Sequence, residues 1–178
     1  MAYAAPQQVV DEIGLDETAQ LLGDEQRLLT SALLQDAIGV AAGGLWTGEP
    51  TEPEMAAALA AHGRLARELD NTSNYMDGYL RGAVALPLKP ADANAGTLQK
   101  CCVALTRCEL ADDTDNATDR MDERCKTWRA WLKDVQAGRV SLVGVDGQEV
   151  AGPGRTRSGQ ARSVYAWPGS APNWSGRP

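Results

Sequence analysis

The stretch Thr51–Leu80, TEPEMAAALAAHGRLARELDNTSNYMDGYL, decides the fold. Thr51 and Glu54 match a capping box, in which the N-cap residue and the residue three positions later bond each other's backbone N–H groups, and Pro53 is tolerated in the first turn. Small or apolar residues then recur at spacings of three and four, which predicts one helix of roughly 40 Å at 1.5 Å per residue. The predicted stripe comprises Met55, Leu59, His62, Ala66, Leu69, Ser73, Met76 and Leu80. Any kink in this helix is expected near Asn71, which begins a run of weak helix formers.

Shorter amphipathic segments predict further helices on both sides of this one. The predicted segments are Gln8–Ile13, Glu17–Leu22 with Asp16 as its cap, Asp24–Ile38, Leu98–Cys108, and Met121–Val135 with a C′ glycine at Gly138. Ala85–Pro90 holds two prolines and is expected to be an extended connector. The residues therefore predict a mainly α protein, a small helical bundle with a long central helix.

The pattern changes at the C-terminal end of the chain. Arg139–Val150 alternates apolar and polar residues around Asp146-Gly147, a favoured two-residue turn, which predicts a short β-hairpin. The last 28 residues hold five Gly, four Pro and four Ser, so they cannot build a core and are expected to form an extended arm. We therefore divide the chain into a helical body, residues 1–150, and an arm, residues 151–178.

Charge separates the same two parts. The whole chain of 178 residues carries a formal charge of −7. Since the last 28 residues contain four Arg and no acidic residue, they carry +4, and the first 150 carry −11. The arm also holds aromatic side chains, which are expected to anchor it on a partner surface. The residues predicted to bind that partner are Arg155, Arg157, Arg162, Tyr165, Trp167 and Trp174.

The same composition argues against several classes of protein. An acidic body is a poor match for a protein whose main task is to hold phosphate backbones. No apolar run approaches the roughly 20 residues that a membrane-spanning helix needs. The N-terminus has neither the positive cluster nor the apolar stretch of a secretory signal, so a cytoplasmic protein is expected.

No motif of catalysis, metal binding or cofactor binding is found in the sequence. Cys101, Cys102, Cys108 and Cys125 lack the spacing of a zinc site, and they are expected to be small buried side chains, although a disulfide between two helices is conceivable. The single histidine, His62, lies on the apolar stripe and is expected to pack there. The acidic segment from Asp112 to Asp119 has no glycine and does not match a calcium loop. We therefore expect a protein that is not an enzyme and that binds neither metal nor cofactor.

The order of three segments gives a resemblance to a known family. NYMDGYLRG at residues 74–82, followed by Leu86-Pro87-Leu88, resembles the signature of the Mu-like phage head–tail adaptors. The opening segment VVDEIG at residues 9–14 and the closing segment WLKDVQAGRVSL at residues 131–142 are similar to that family as well. The resemblance extends to about Val145. It marks these positions as core or ring positions: Asp77, Tyr79, Leu80, Leu86, Pro87, Leu88, Trp131 and Leu132.

This resemblance implies a virion structural protein of the neck, assembled in the host cytoplasm. Copies would form a homo-oligomeric ring, typically dodecameric, beneath the portal, and a stopper or tail-completion protein would dock under it. Genomic DNA would pass through the ring without specific binding, and the arm would engage the portal. Two alternatives remain open: another neck protein, such as a stopper or tail terminator, and a helical DNA-binding regulator.

Overall fold

The computed structural model describes residues 2–23, 26–88, 96–113, 118–143, 150 and 152. Within these ranges the chain forms six α-helices, which confirms the mainly α helical bundle. They are α1 Pro6–Ile13, α2 Leu15–Leu21, α3 Ser31–Ala41, α4 Glu52–Leu80, α5 Gly96–Asp113 and α6 Asp119–Gln136. The long helix α4 is central, because α1, α3, α5 and α6 all pack against it.

The start of α4 follows the prediction from its capping residues. The Glu54 carboxylate accepts hydrogen bonds from the Thr51 backbone N–H and from the Thr51 hydroxyl, both at 2.7 Å. These hydrogen bonds lower the pKa of Glu54. The helix continues without a break past Asn71 to Leu80.

The buried face of α4 differs from the predicted stripe in its first half. Leu59 is 46% exposed and His62 is half-buried, whereas Ala58, Ala61 and Leu65 are buried. The two sets of residues agree from Leu69 onwards. The first half of α4 buries the alanines Ala58 and Ala61, and small side chains at such positions let a packed helix approach closely. The core of the bundle lies along this face.

Two predicted helix starts are wrong. Helix α2 begins at Leu15 and is preceded by Gly14 at φ 97°, so Asp16 is not its cap. Helix α3 begins at Ser31 rather than near Asp24, because Arg27 has a left-handed φ of 54° that ends any helix there. Thr30 caps α3 instead, and its hydroxyl oxygen accepts from the Leu33 N–H at 3.2 Å.

Helix α6 ends where the sequence predicts. The predicted hairpin and arm that follow it are only partly described. Gly138 adopts φ 72° and donates its N–H to the Val135 carbonyl at 2.9 Å, as a C′ glycine does. The turn of the predicted hairpin, Asp146-Gly147, lies outside the described residues, as does all of the arm except Gly152. The connector after α4 contains a cis peptide bond at Leu86-Pro87.

The buried face of α4 can be tested by a pair of leucine substitutions. Leu65 is fully buried, so Leu65→Ala should lower the free energy of unfolding by about 2–4 kcal/mol. Leu59 is 46% exposed, so Leu59→Ala should cost at most about 1 kcal/mol. Urea unfolding followed by circular dichroism measures both changes. A larger loss of unfolding free energy for Leu59→Ala than for Leu65→Ala would instead support the buried stripe predicted from sequence spacing.

Candidate interaction site

The N-terminal segment is attached to the C-terminal part of α4 through Tyr3. The Tyr3 side chain is only 3% exposed, and its hydroxyl donates a hydrogen bond to the Asp77 carboxylate. The Tyr3 backbone N–H donates to the Ser73 hydroxyl oxygen at 3.0 Å, one helical turn before Asp77. Asp77, a position marked by the family resemblance, therefore holds the N-terminus. Sequence reasoning missed Tyr3 because it lies 74 residues from its partner.

Polar groups beneath Tyr3 satisfy one another inside the core. The Ser73 hydroxyl donates to the Leu69 carbonyl at 2.7 Å and lies 3.5 Å from the Cys102 Sγ. The Thr106 hydroxyl on α5 donates to the Thr72 hydroxyl oxygen on α4 at 3.1 Å. Among the described residues, every buried side-chain nitrogen or oxygen has a hydrogen-bond partner. This cluster aligns α4 with α5.

The cysteines fall into two classes. Cys101 and Cys102 are fully buried thiols, as expected, and burial raises the pKa of both. Buried thiols with raised pKa values stay protonated, so neither is suited to act as a nucleophile. Cys108 and Cys125 instead form a disulfide that joins α5 to α6. The expectation of four small buried side chains is therefore wrong for this pair, because packing of the two helices brings distant positions together.

Most of the positions marked by the family resemblance serve the core. Leu80, Leu88 and Leu132 are buried, and three further marked positions pack partly buried against the core: Tyr79, Leu86 and Trp131. Trp131 makes an edge-to-face contact with Trp128, with ring centroids 5.7 Å apart. Pro87 is exposed. The marked segments thus shape the end of the bundle where α4, the connector and α6 meet.

One exposed cluster spans α4, α5 and α6, and we call Tyr75, Tyr79, Glu109 and Arg129 the tyrosine patch. The two tyrosine hydroxyls lie 2.9 Å apart and their rings meet edge to face at 5.1 Å. Glu109 and Arg129 form an ion pair at 2.9 Å, and both charges act on the Tyr75 hydroxyl. Tyr75 is 43% exposed. Tyrosine and arginine held rigidly at a surface are typical of protein interfaces.

A second exposed feature is the loop between α3 and α4, which presents Leu45. The Leu45 side chain is 90% exposed. The loop is held in place by Asp36, whose carboxylate accepts from the Thr47 N–H at 3.1 Å and from the Thr47 hydroxyl at 2.9 Å. Leu45 is the most exposed of the large apolar side chains in the described ranges, and the two hydrogen bonds to Asp36 fix the loop that carries it. We call Gly43–Pro50 the Leu45 loop.

A groove of about 280 Å³ lies between the N-terminal helices and the α5–α6 pair. Its walls carry opposite charges, with Glu12 and Glu17 on one side and basic side chains on the other. The basic side chains are Lys100, Arg107 and Arg124. The Arg107 guanidinium forms an ion pair with Glu17, so the two walls are already joined at one point. The groove is a structural junction of α2 with α5.

The arm leaves the body beside the C-terminal end of α4. Val150 donates its backbone N–H to the Leu142 carbonyl at 2.8 Å and packs against the core. A side chain at Gly152 would lie 3.2 Å from the Ala83 carbonyl oxygen, so this glycine allows a close backbone approach. The six arm residues predicted to bind a partner lie outside the described residues. They are Arg155, Arg157, Arg162, Tyr165, Trp167 and Trp174.

Neither a candidate metal centre nor a candidate membrane span is found in the described part of the chain. Across those residues, no group of three or more His, Cys, Asp or Glu side chains is placed to hold a metal ion. None of the helices in the described ranges is both long and apolar enough to cross a bilayer.

Comparison with known proteins identifies one family. A family model described as "Bacteriophage Mu, Gp36" matches residues 3–160. No significant match was found among curated proteins or among solved structures. The match begins at Tyr3 and contains all six described helices.

The Tyr3–Asp77 contact gives stability a dependence on alkaline pH. Burial first, and then the hydrogen bond to Asp77, raise the pKa of Tyr3. An unfolded tyrosine ionises near pH 10, whereas folded Tyr3 stays neutral, so this contribution is complete below about pH 10 and falls above it. Tyr3→Phe should lower the free energy of unfolding by about 1–3 kcal/mol at pH 7 and reduce the loss between pH 10 and 11. Urea titrations at each pH measure both effects.

A suitable control is Tyr79→Phe, which removes a hydroxyl whose partner is the exposed Tyr75. This variant should lose less stability than Tyr3→Phe. An unchanged alkaline slope in Tyr3→Phe would contradict the assignment of the pH dependence to Tyr3.

Proposed function

Because the match over residues 3–160 makes the chain a member of the bacteriophage Mu Gp36 family, we propose that it is the head–tail connector adaptor of a phage virion. In this role, copies form a dodecameric ring beneath the portal and join the DNA-filled capsid to a stopper or tail-completion protein. The family match is the observation that carries the proposal. The protein is assembled in the host cytoplasm, resides in the virion neck, and has a structural rather than a catalytic task, without metal or cofactor.

The charge of the body supports passage of DNA through such a ring. The first 150 residues carry −11, and phosphate backbones repel a surface of like charge. DNA therefore slides through without specific binding. The helices α1 and α2 add to this charge, since Asp11, Glu12, Asp16 and Glu17 are their only charged side chains.

A ring of identical copies needs two different contact surfaces on each copy, because its interfaces are head to tail. The tyrosine patch and the Leu45 loop meet this requirement. The loop leads into α4 at Thr51, whereas Tyr75 lies roughly 36 Å further along the helix at 1.5 Å per residue. In the proposed ring, the tyrosine patch of one copy forms one contact face, and the Leu45 loop belongs to the opposite face.

The arm supplies the attachment to the portal. An extended segment that orders on binding loses conformational entropy, so its aromatic anchors have to offset that cost. Trp167 and Trp174 fill pockets on the partner, and the Arg side chains of the arm pair with its acidic groups. Repetition around a ring makes a modest affinity per copy sufficient.

Two other functions remain as alternatives. A stopper or tail terminator usually contains more β-strand than this chain, whose described residues form six α-helices. A DNA-binding regulator would use the arm, but its four Arg are too few and too interleaved with Gly and Pro for a recognition helix. A salt-dependent shift of duplex DNA by the purified protein would favour the regulator.

The tyrosine patch can be tested by the substitution Tyr75→Ala. Tyr75 is 43% exposed. Loss of its aromatic side chain should reduce the fraction of subunits assembled into the oligomeric ring at least tenfold, while each subunit stays folded. Particle mass measurements on the full chain, with thermal unfolding as the folding check, report both properties. Leu59→Ala is the matched control, because Leu59 is 46% exposed on the same helix. Normal ring formation by Tyr75→Ala would exclude the patch as a ring contact.

The arm can be tested by ending the chain after Val150. The truncated subunit should keep its helical circular dichroism but fail to join portals, so that capsids lack tails and lose DNA. Trp167→Ala combined with Trp174→Ala should reproduce this defect in the full chain, since the anchors carry most of the binding energy. Electron microscopy of purified particles counts the tails. Particles that keep their tails and DNA with the truncated subunit would contradict the role of the arm.

A further inference from the structure

We propose that Cys108 and Cys125 are an oxidation site that acts after assembly. The two side chains are thiols while the subunit lies in the host cytoplasm, and they form a disulfide once the particle is outside the cell. The pairing follows from the geometry alone. Only the timing rests on the proposed function.

The fold brings this pair of cysteines together. Cys108 on α5 and Cys125 on α6 are 17 residues apart in sequence, their Cα atoms are 6.3 Å apart, and their sulfur atoms are bonded. Cys101 and Cys102 lie about two turns earlier on α5 and are fully buried as free thiols. The structure thus separates one oxidisable pair from two enclosed thiols in the same chain.

The pair is accessible to small molecules. Cys125 is only 3% exposed, but Cys108 lines the groove of about 280 Å³ between α2 and α5, which contains no residue of the tyrosine patch and so gives access to the bond when that patch is covered in the ring. A smaller pocket of about 110 Å³ is lined by both cysteines together with Glu109 and Arg129, and it gives access before assembly. The reduced form fits the same place, because the Ala104 carbonyl oxygen lies 2.9 Å from the Cys108 Sγ and can accept its thiol proton. Both redox states are therefore compatible with the packing of α5 on α6.

The reaction needs an oxidant, and dissolved dioxygen serves outside the cell. Both S–H bonds break and one S–S bond forms, while the two electrons and two protons pass to dioxygen and yield hydrogen peroxide. Inside the host cytoplasm, low-molecular-weight thiols reduce such a bond by exchange. Assembly therefore takes place with the reduced subunit.

The position of the bond determines what oxidation does. A disulfide restricts the unfolded chain and so stabilises the fold. Glu109 follows Cys108 directly, and Arg129 lies one helical turn after Cys125, so the bond is next to the ion pair of the tyrosine patch. Oxidation ties together the two helices that carry this ion pair and fixes the patch after the ring has formed.

The first experiment uses the purified full chain in oxidised and reduced dithiothreitol. Reduction should lower Tm by roughly 5–10 °C, whereas the variant Cys108→Ser combined with Cys125→Ser should melt at the reduced temperature in both buffers. Alkylation after denaturation, with peptide mapping, should find Cys101 and Cys102 as thiols in every sample. Equal melting temperatures of the two wild-type forms, or a bond to Cys101 or Cys102, would overturn the pairing.

The second experiment tests the timing in particles. Infected cells are quenched with acid and alkylated, and released particles are treated in the same way. Cys108 and Cys125 should be alkylated in cells and bonded in aerated particles. A bond already present in cells, or thiols that persist in particles, would overturn the timing. Absence of the protein from particles would overturn the proposed function and the timing together, and the purified chain alone would then decide the pairing.

Discussion

The bundle depends on the burial of one face of α4. This helix contacts α1, α3, α5 and α6, and its buried side chains run from Ala58 to Leu80. Because four helices pack against α4, the size of its buried side chains changes along its length. Ala58 and Ala61 face inward in its first half, and larger side chains such as Leu69 and Met76 face inward further along. Removal of this face from water contributes a favourable free energy to folding, supplied by Leu, Met and Ala side chains because the chain has no phenylalanine.

Polar side chains on the same face give the bundle its alignment. Thr72 and Ser73 are buried, and their hydroxyls bond Thr106 on α5 and the Tyr3 backbone. A buried hydroxyl without a partner costs free energy, so these contacts penalise any shift of α5 along α4. The apolar residues stabilise the bundle, and the hydroxyls determine which positions of neighbouring elements face each other.

Function is proposed to lie on the surface that this arrangement leaves exposed. The tyrosine patch takes its residues from α4, α5 and α6, so it exists only when the three helices are packed. The Leu45 loop depends in the same way on the carboxylate of Asp36. The arm, in contrast, carries its charge and aromatic residues in sequence. In the proposed function, the body would therefore provide contact surfaces made by packing, and the arm would provide anchors that follow one another in the sequence.

The sequence alone determined the helical class, the long helix from its capping box, the end of α6 at Gly138 and the resemblance to Mu-like phage proteins. These features depend on neighbours within a few turns, where spacing and capping residues act directly. Only the tertiary structure decided which face of α4 is buried in its first half, that Tyr3 meets Asp77, and that Cys108 joins Cys125. Each of these features links residues far apart in sequence or depends on how α3, α5 and α6 pack. The spacing of residues within one helix carries no information about which residue of another helix lies against it.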